Sequence, residues 1–84
     1  MIYATFGDRW ARALRVGKVE RQTSGGNWKD VTRDVLRREG GALVFVDLPT
    51  SVITAGARWR VDGVEYENGA ISTKPPMRVQ LRRA

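Results

Sequence analysis

The sequence predicts a mainly β fold: a small antiparallel β-barrel or sandwich of about five or six short strands. Two observations predict it most directly. Short runs rich in β-branched and aromatic residues alternate apolar with polar side chains, as half-buried strands do. Turn dipeptides (Gly40-Gly41, Asp62-Gly63, Asn68-Gly69) punctuate these runs at close spacing. Eighty-four residues make one domain with one modest core, near the lower size limit for independent stability.

Residues 1–13 allow two readings. Phe6, Trp10 and Leu14 recur at helical spacing, and Thr5 and Asp8 stand in capping-box positions, with Asp in place of the preferred Glu or Gln. A short helix over 6–13 and an extended N-terminal arm both stay open. Residues 14–21 begin an alternating strand in which Gly17 marks a bulge. Residues 22–30, Gln-Thr-Ser-Gly-Gly-Asn-Trp-Lys-Asp, read as a loop. Trp28 is unusual there. A large ring beside Lys29 in a polar loop is either a docking hot spot or a cap over the open end of the barrel.

Residues 31–48 read as a hairpin about Gly40-Gly41, with Leu43-Val44-Phe45-Val46 as its buried strand. A two-residue turn there sets Val35 against Val46 and Leu36 against Phe45. Both faces of the hairpin root are then apolar, so it should be covered on two sides. The same register opposes Asp34 to Asp47, an unfavourable pair.

Pro49-Thr50-Ser51 breaks the chain, and residues 52–56 lead into the most informative stretch, 58–67. Asp62-Gly63 is the dipeptide that a two-residue type I′ turn requires, because both central positions need positive φ. Folding there pairs Val61 with Val64, Arg60 with Glu65, Trp59 with Tyr66 and Arg58 with Glu67. One face carries Trp59, Val61, Val64 and Tyr66. The other carries two opposite-charge pairs, each worth roughly 0.2–1 kcal/mol. A slip of one residue would expose the whole apolar set, so the register is well specified.

Asn68-Gly69 reads as a further turn. Residues 72–76, with Pro75-Pro76, form a loop. Met77, Val79 and Leu81 share the inner face of a closing strand, and residues 82–84, with Arg82 and Arg83, form a basic tail.

The net charge is +6 and the isoelectric point 10.8, but the charge is uneven. Residues 1–38 carry +5, residues 39–67 carry −3 and residues 68–84 carry +4. Twelve of the fifteen basic residues are arginine, the cation suited to bidentate pairing at interfaces. Two basic ends around an acidic middle suit complementary docking better than uniform nucleic-acid binding. Arg82 and Arg83 either solubilise the tail or grip an acidic neighbour or DNA phosphate.

Chemistry is poorly served. The chain has no cysteine and no histidine, which removes the thiolate nucleophile, the usual general base and the commonest metal ligands. Asp62, Glu65 and Glu67 cluster in sequence, but the turn accounts for Asp62 and facing arginines for the glutamates. No catalytic, cofactor-binding or metal-binding residue is therefore expected, and no enzyme activity. Gly25-Gly26 and Gly40-Gly41 lack the phosphate-cradling pattern. No apolar run approaches the roughly 18–20 residues of a membrane span, and the N-terminus lacks signal-peptide features, so the expected compartment is the cytoplasm in which the chain is made.

From Ala42 onward the order of signals resembles the small head–tail joining proteins of long-tailed phages, the lambda type in particular. The matching features are the Leu43-Val44-Phe45-Val46 strand, the polar bridge 47–51, and Ala55-Gly56 leading into Trp59-Arg60-Val61. The return strand Val64-Glu65-Tyr66, a polar turn with proline, and Val79-Gln80-Leu81 followed by arginines complete the pattern. It covers about half the chain. The resemblance implies a virion structural protein of the neck or tail, made in the host cytoplasm. It would be a head-completion, stopper or tail-terminator subunit that assembles with copies of itself into a ring. Its partners would be portal or adaptor proteins and tail proteins, with DNA passing through the lumen. Trp28, Lys29, Arg82 and Arg83 are the candidate partner contacts; Trp59, Asp62, Gly63 and Tyr66 hold the hairpin. The alternative is a small SH3-like or OB-like barrel that binds nucleic acid directly, stacking bases on Trp28, Trp59 and Tyr66.

Overall fold

The computed structural model describes residues 1–6, 17–37, 42–46, 48 and 52–84. Its strands are β1 (Ile2–Phe6), β2 (Val19–Gln22), β3 (Trp28–Asp30), β4 (Val35–Arg37), β5 (Leu43–Phe45), β6 (Arg58–Val61), β7 (Val64–Ser72) and β8 (Met77–Arg83). A 3-10 turn, Thr32–Asp34, separates β3 from β4. The strands form one curled sheet, a half-barrel, in the order β3-β2-β6-β7-β8-β1-β5-β4. The expected mainly β, barrel-like class is what is found. The described residues hold eight strands, and one pairing, β1 with β8, is parallel.

The hairpin of β6 and β7 has the register that its sequence dictates: Arg58 opposite Glu67, Trp59 opposite Tyr66, Arg60 opposite Glu65 and Val61 opposite Val64. Asp62 (φ 49°) and Gly63 (φ 82°) both take the left-handed conformation of the turn. Trp59, Val61 and Tyr66 face inward and are buried. They meet Ile2 and Ala4 of β1, Val19 of β2, Leu43 and Phe45 of β5, and Val79 and Leu81 of β8 in one core. The Phe45 and Trp59 rings lie 4.9 Å apart at 36°, a tilted contact that aromatic quadrupoles favour.

Five sequence expectations are corrected. Residues 2–6 are neither arm nor helix. They form β1, between β8 and β5, so Thr5 pairs with Gln80 instead of capping a helix. The alternation of Ile2 and Ala4, both buried, outweighs the helical spacing. The rest of the expected helix, with Trp10 and Leu14, lies outside the described residues, as do Gly40-Gly41, Asp47 and Pro49-Thr50-Ser51.

The 22–30 loop is instead a tight turn followed by β3. Thr23 N–H donates to Asn27 O at 2.7 Å and Gly26 N–H to Thr23 O at 2.9 Å. Gly17 marks no bulge in the described residues; its N–H serves the Asp62 carboxylate.

The β4–β5 register is one residue from the expected one: Val35 faces Phe45, and Leu36 faces Val44. Val46 N–H donates to Asp34 O at 3.0 Å, so Asp34 lies opposite Val46; Asp47, its expected opposite, is outside the described residues. Leu43, Val44 and Phe45 are all buried, as expected of a strand root covered on both faces.

Asn68-Gly69 is not a turn. It lies inside β7, and the β7–β8 register shifts between Asn68 and Ile71. The extra residue changes the inward set from Tyr66 and Asn68 to Ile71, which packs against the core. Gly69 fits because a Cβ there would come within 3.0 Å of the Gln80 carbonyl oxygen.

Candidate partner-binding surface

The outer face of the sheet carries its charge as a woven stripe. Glu20 faces Arg60 across β2 and β6, and the Arg60 guanidinium donates to both Glu20 carboxylate oxygens at 2.8 and 2.9 Å. Lys18 Nζ adds a longer contact at 3.8 Å. The hydrogen bond from Arg60 holds the Glu20 carboxyl below its ordinary pKa, and Glu20 in turn raises Arg60. Further along, Arg82 Nε donates to Glu67 Oε1 at 3.0 Å. The two cross-strand ion pairs expected within the hairpin are therefore replaced. Arg60 reaches sideways to β2 and Glu67 to β8, because a third strand flanks each side of the hairpin. Arg58 is left with no ion-pair partner among the described residues.

The expected contact residues do not converge. Trp28 and Lys29 lie on β3, one edge of the sheet, whereas Arg82 and Arg83 lie on β8, beyond β2, β6 and β7. Trp28 is half-buried, and it does not stand in a loop. It forms the end of the stripe, with Arg60 Cζ 4.5 Å from its ring centroid, a cation–π contact worth about 0.5–1 kcal/mol. Lys29 is exposed and pairs in register with Arg21. Arg82 and Arg83 are strand residues, not a tail. They extend β8 opposite Glu67 and Tyr66, because β7 is long enough to pair with them.

Asp62 does more than turn the chain. Its carboxylate accepts the backbone N–H groups of Gly17 at 2.9 Å and Lys18 at 2.7 Å, while its own N–H donates to Lys18 O. The turn thereby fixes the entry to β2.

Sequence reasoning missed one polar group entirely. Asn68 is 4% exposed and joins β7 to the segment before β6, donating to the Val52 and Thr54 carbonyls at 3.2 and 2.8 Å. Its position two residues beyond inward-facing Tyr66 was the available signal, but the Asn-Gly turn pattern masked it.

At the end of the half-barrel, a hollow of about 500 Å³ opens between the Thr23-Ser24 turn and residues 52–59. Arg21 and Arg58 both line it, together with Val52, Thr54 and Trp59, and among the described residues no acidic side chain does. Among the described residues, no group of three or more His, Cys, Asp or Glu could hold a metal ion, and no helix is long and apolar enough to cross a membrane. Comparison with protein-family models, curated proteins and solved structures found no match.

Proposed function

We propose that this chain is a structural subunit of a phage head–tail joint. It assembles with copies of itself into a ring, docks portal or adaptor proteins to tail proteins, and lets DNA pass through the lumen. The observation that carries the reading is the succession of strands from Leu43 to Arg83. Strand β5, the β6–β7 hairpin with its Trp59–Tyr66 pair, and a closing β8 that ends in arginines follow the order of signals on which the phage resemblance rests.

The two edges of the curled sheet carry unlike side chains, and the 31–34 link holds them beside one seam on which a neighbouring subunit could dock. The β3 side presents Trp28, Lys29 and the charged stripe. The β4–β5 side presents Leu36 and Val46, 53% and 43% exposed. Exposed edge strands with such side chains are natural lateral contacts. The subunit would be made in the host cytoplasm and work in the virion neck.

Sedimentation and electron microscopy of the purified chain with portal and tail components test the proposal. Rings or joint complexes support it, and a chain that stays monomeric and joins neither assembly overturns it. Direct nucleic-acid binding by base stacking is the weaker reading. Trp59 and Tyr66 are buried in the core, and Arg60 covers one face of Trp28. Negligible DNA binding near 150 mM salt, where about six phosphate contacts would still show a steep salt slope, separates the two.

A further inference from the structure

We infer that the hollow at the end of the half-barrel is a carboxylate-binding pocket that receives an aspartate or glutamate side chain of a partner polypeptide. Arg21 stands on the inward side of β2, in register with Trp59, at a position where a barrel strand ordinarily carries an apolar residue. Its Nε is buried without a hydrogen-bond acceptor. That nitrogen is enclosed, so the guanidinium has its other nitrogens to offer to the hollow that Arg21 lines, and a buried charged group with an unmet donor favours an anion there.

Two independent observations point to the sign of that acceptor. Lys29 lies directly across from Arg21 in the β2–β3 ladder, and like charges so placed repel. Arg58, the other cation lining the hollow, has lost its expected partner because Glu67 pairs with Arg82. Elsewhere on this sheet the glutamates are matched to arginines, as in Glu20 with Arg60. At this end two arginines line the hollow and, among the described residues, no acid does.

A carboxylate fits better than a duplex phosphate. The site is a concavity, walled in part by Val52 and Trp59, which would cover the methylene stem of a glutamate. A planar carboxylate also matches the fork of a guanidinium in bidentate geometry. The Thr23, Ser24 and Thr54 hydroxyls around it supply further donors. This site does not depend on whether the chain joins a phage neck, since any acidic partner segment of suitable shape would meet the same groups.

The test is a nuclear magnetic resonance titration of the full chain with a capped heptapeptide carrying two central glutamates. Its glutamine twin and inorganic phosphate serve as comparisons. Saturable shifts are expected at the Arg21 and Arg58 Nε–H groups and at the Thr54 to Ala57 amides, with no response to the twin and a weaker one to phosphate. Arg21→Gln and Arg58→Gln should each weaken binding at least about fivefold, close to 1 kcal/mol by the tenfold-per-1.4 kcal/mol relation, while Lys74→Gln should not. Arg21→Met should melt no lower than the native chain, because it removes an unsatisfied buried donor. No shift, shifts spread evenly over the arginines, equal binding of the twin, or preference for phosphate would each overturn the assignment.

Discussion

Asn68 accepts the indole N–H of Trp59 at 2.7 Å from nine positions along the chain, and the amide that holds this proton also holds two loop carbonyls. One buried side chain thus satisfies the polar atom of the largest core residue and pins the segment preceding β6 to β7. Asn68→Ala should orphan the indole N–H and two carbonyls and cost about 2–4 kcal/mol, read as a fall in melting temperature of roughly 4–8 °C per kcal/mol. Asn68→Asp offers an acceptor to Trp59 but no donor to Val52 or Thr54, and buries a charge. It should be at least as damaging at pH 7, and calorimetry that finds it neutral would refute the account of this bond network.

The Asp62 carboxylate can be separated from its backbone role. Asp62→Gly keeps the positive φ available and deletes only the acceptor for Gly17 and Lys18. The expected loss is about 1–2 kcal/mol, with faster hydrogen exchange at those two amides while the Val61–Val64 ladder stays protected. Equal acceleration throughout the hairpin would show that the turn, not the carboxylate, had been damaged.

Trp59 and Trp28 should differ sharply. Trp59→Ala opens a large cavity among Phe45, Val61 and Tyr66 and should cost about 3–5 kcal/mol, enough to unfold so small a domain. Trp28→Ala loses mainly the cation–π contact with Arg60, about 0.5–1 kcal/mol, and should instead weaken assembly. Comparable melting losses in the two variants would contradict this division.

Acid should weaken the outer face in a defined direction. Arg60 holds Glu20 below its ordinary pKa, and hydrogen bonds from Thr32 hold Asp30 below its own. Groups whose native pKa is depressed stabilise the fold fully above their unfolded values, in the region of pH 4–5. That contribution is lost as the pH falls through the lower native values. Denaturant midpoints measured from pH 6 down to pH 2 should fall in this window, and Glu20→Gln should flatten part of the fall. An unchanged slope in the variant would remove Glu20 from the explanation.

The legible parts of the fold were those fixed by neighbours in sequence. The β6–β7 register follows from Asp62-Gly63 and the alternation around it, residue for residue. The inward set of β8 follows from Met77, Val79 and Leu81. What could not be read depends on distant partners. Strand β1 is central only because β8, from the other end of the chain, lies parallel beside it. Strand β3 looks like loop, since Trp-Lys-Asp has no alternation to show. Asn68-Gly69 carries a turn signal that burial overrides, since the asparagine amide answers a tryptophan and two carbonyls that local pattern does not reveal. The redirected ion pairs of Arg60 and Glu67 likewise need knowledge of the third strand. Of the candidate contacts, Trp28 and Lys29 were identifiable as exceptions to local rules, whereas Arg21 and Arg58 gained interest only from who failed to meet them.

Strands β3 and β4 are the two opposite edges of the sheet, yet only residues 31–34 separate them in the chain. Val31 N–H donates to Val19 O on one side, and Asp34 O accepts Val46 N–H on the other, so this short link is fastened at both ends. Laid flat, eight strands at about 4.8 Å spacing would span more than 30 Å, while five residue steps reach at most about 18 Å. The link therefore works as a clasp. The sheet cannot be unrolled without first tearing hydrogen bonds, and its curvature is enforced by covalent connection where no ladder closes it. A single backbone cut at the clasp would leave every strand intact and free the hoop to spring open.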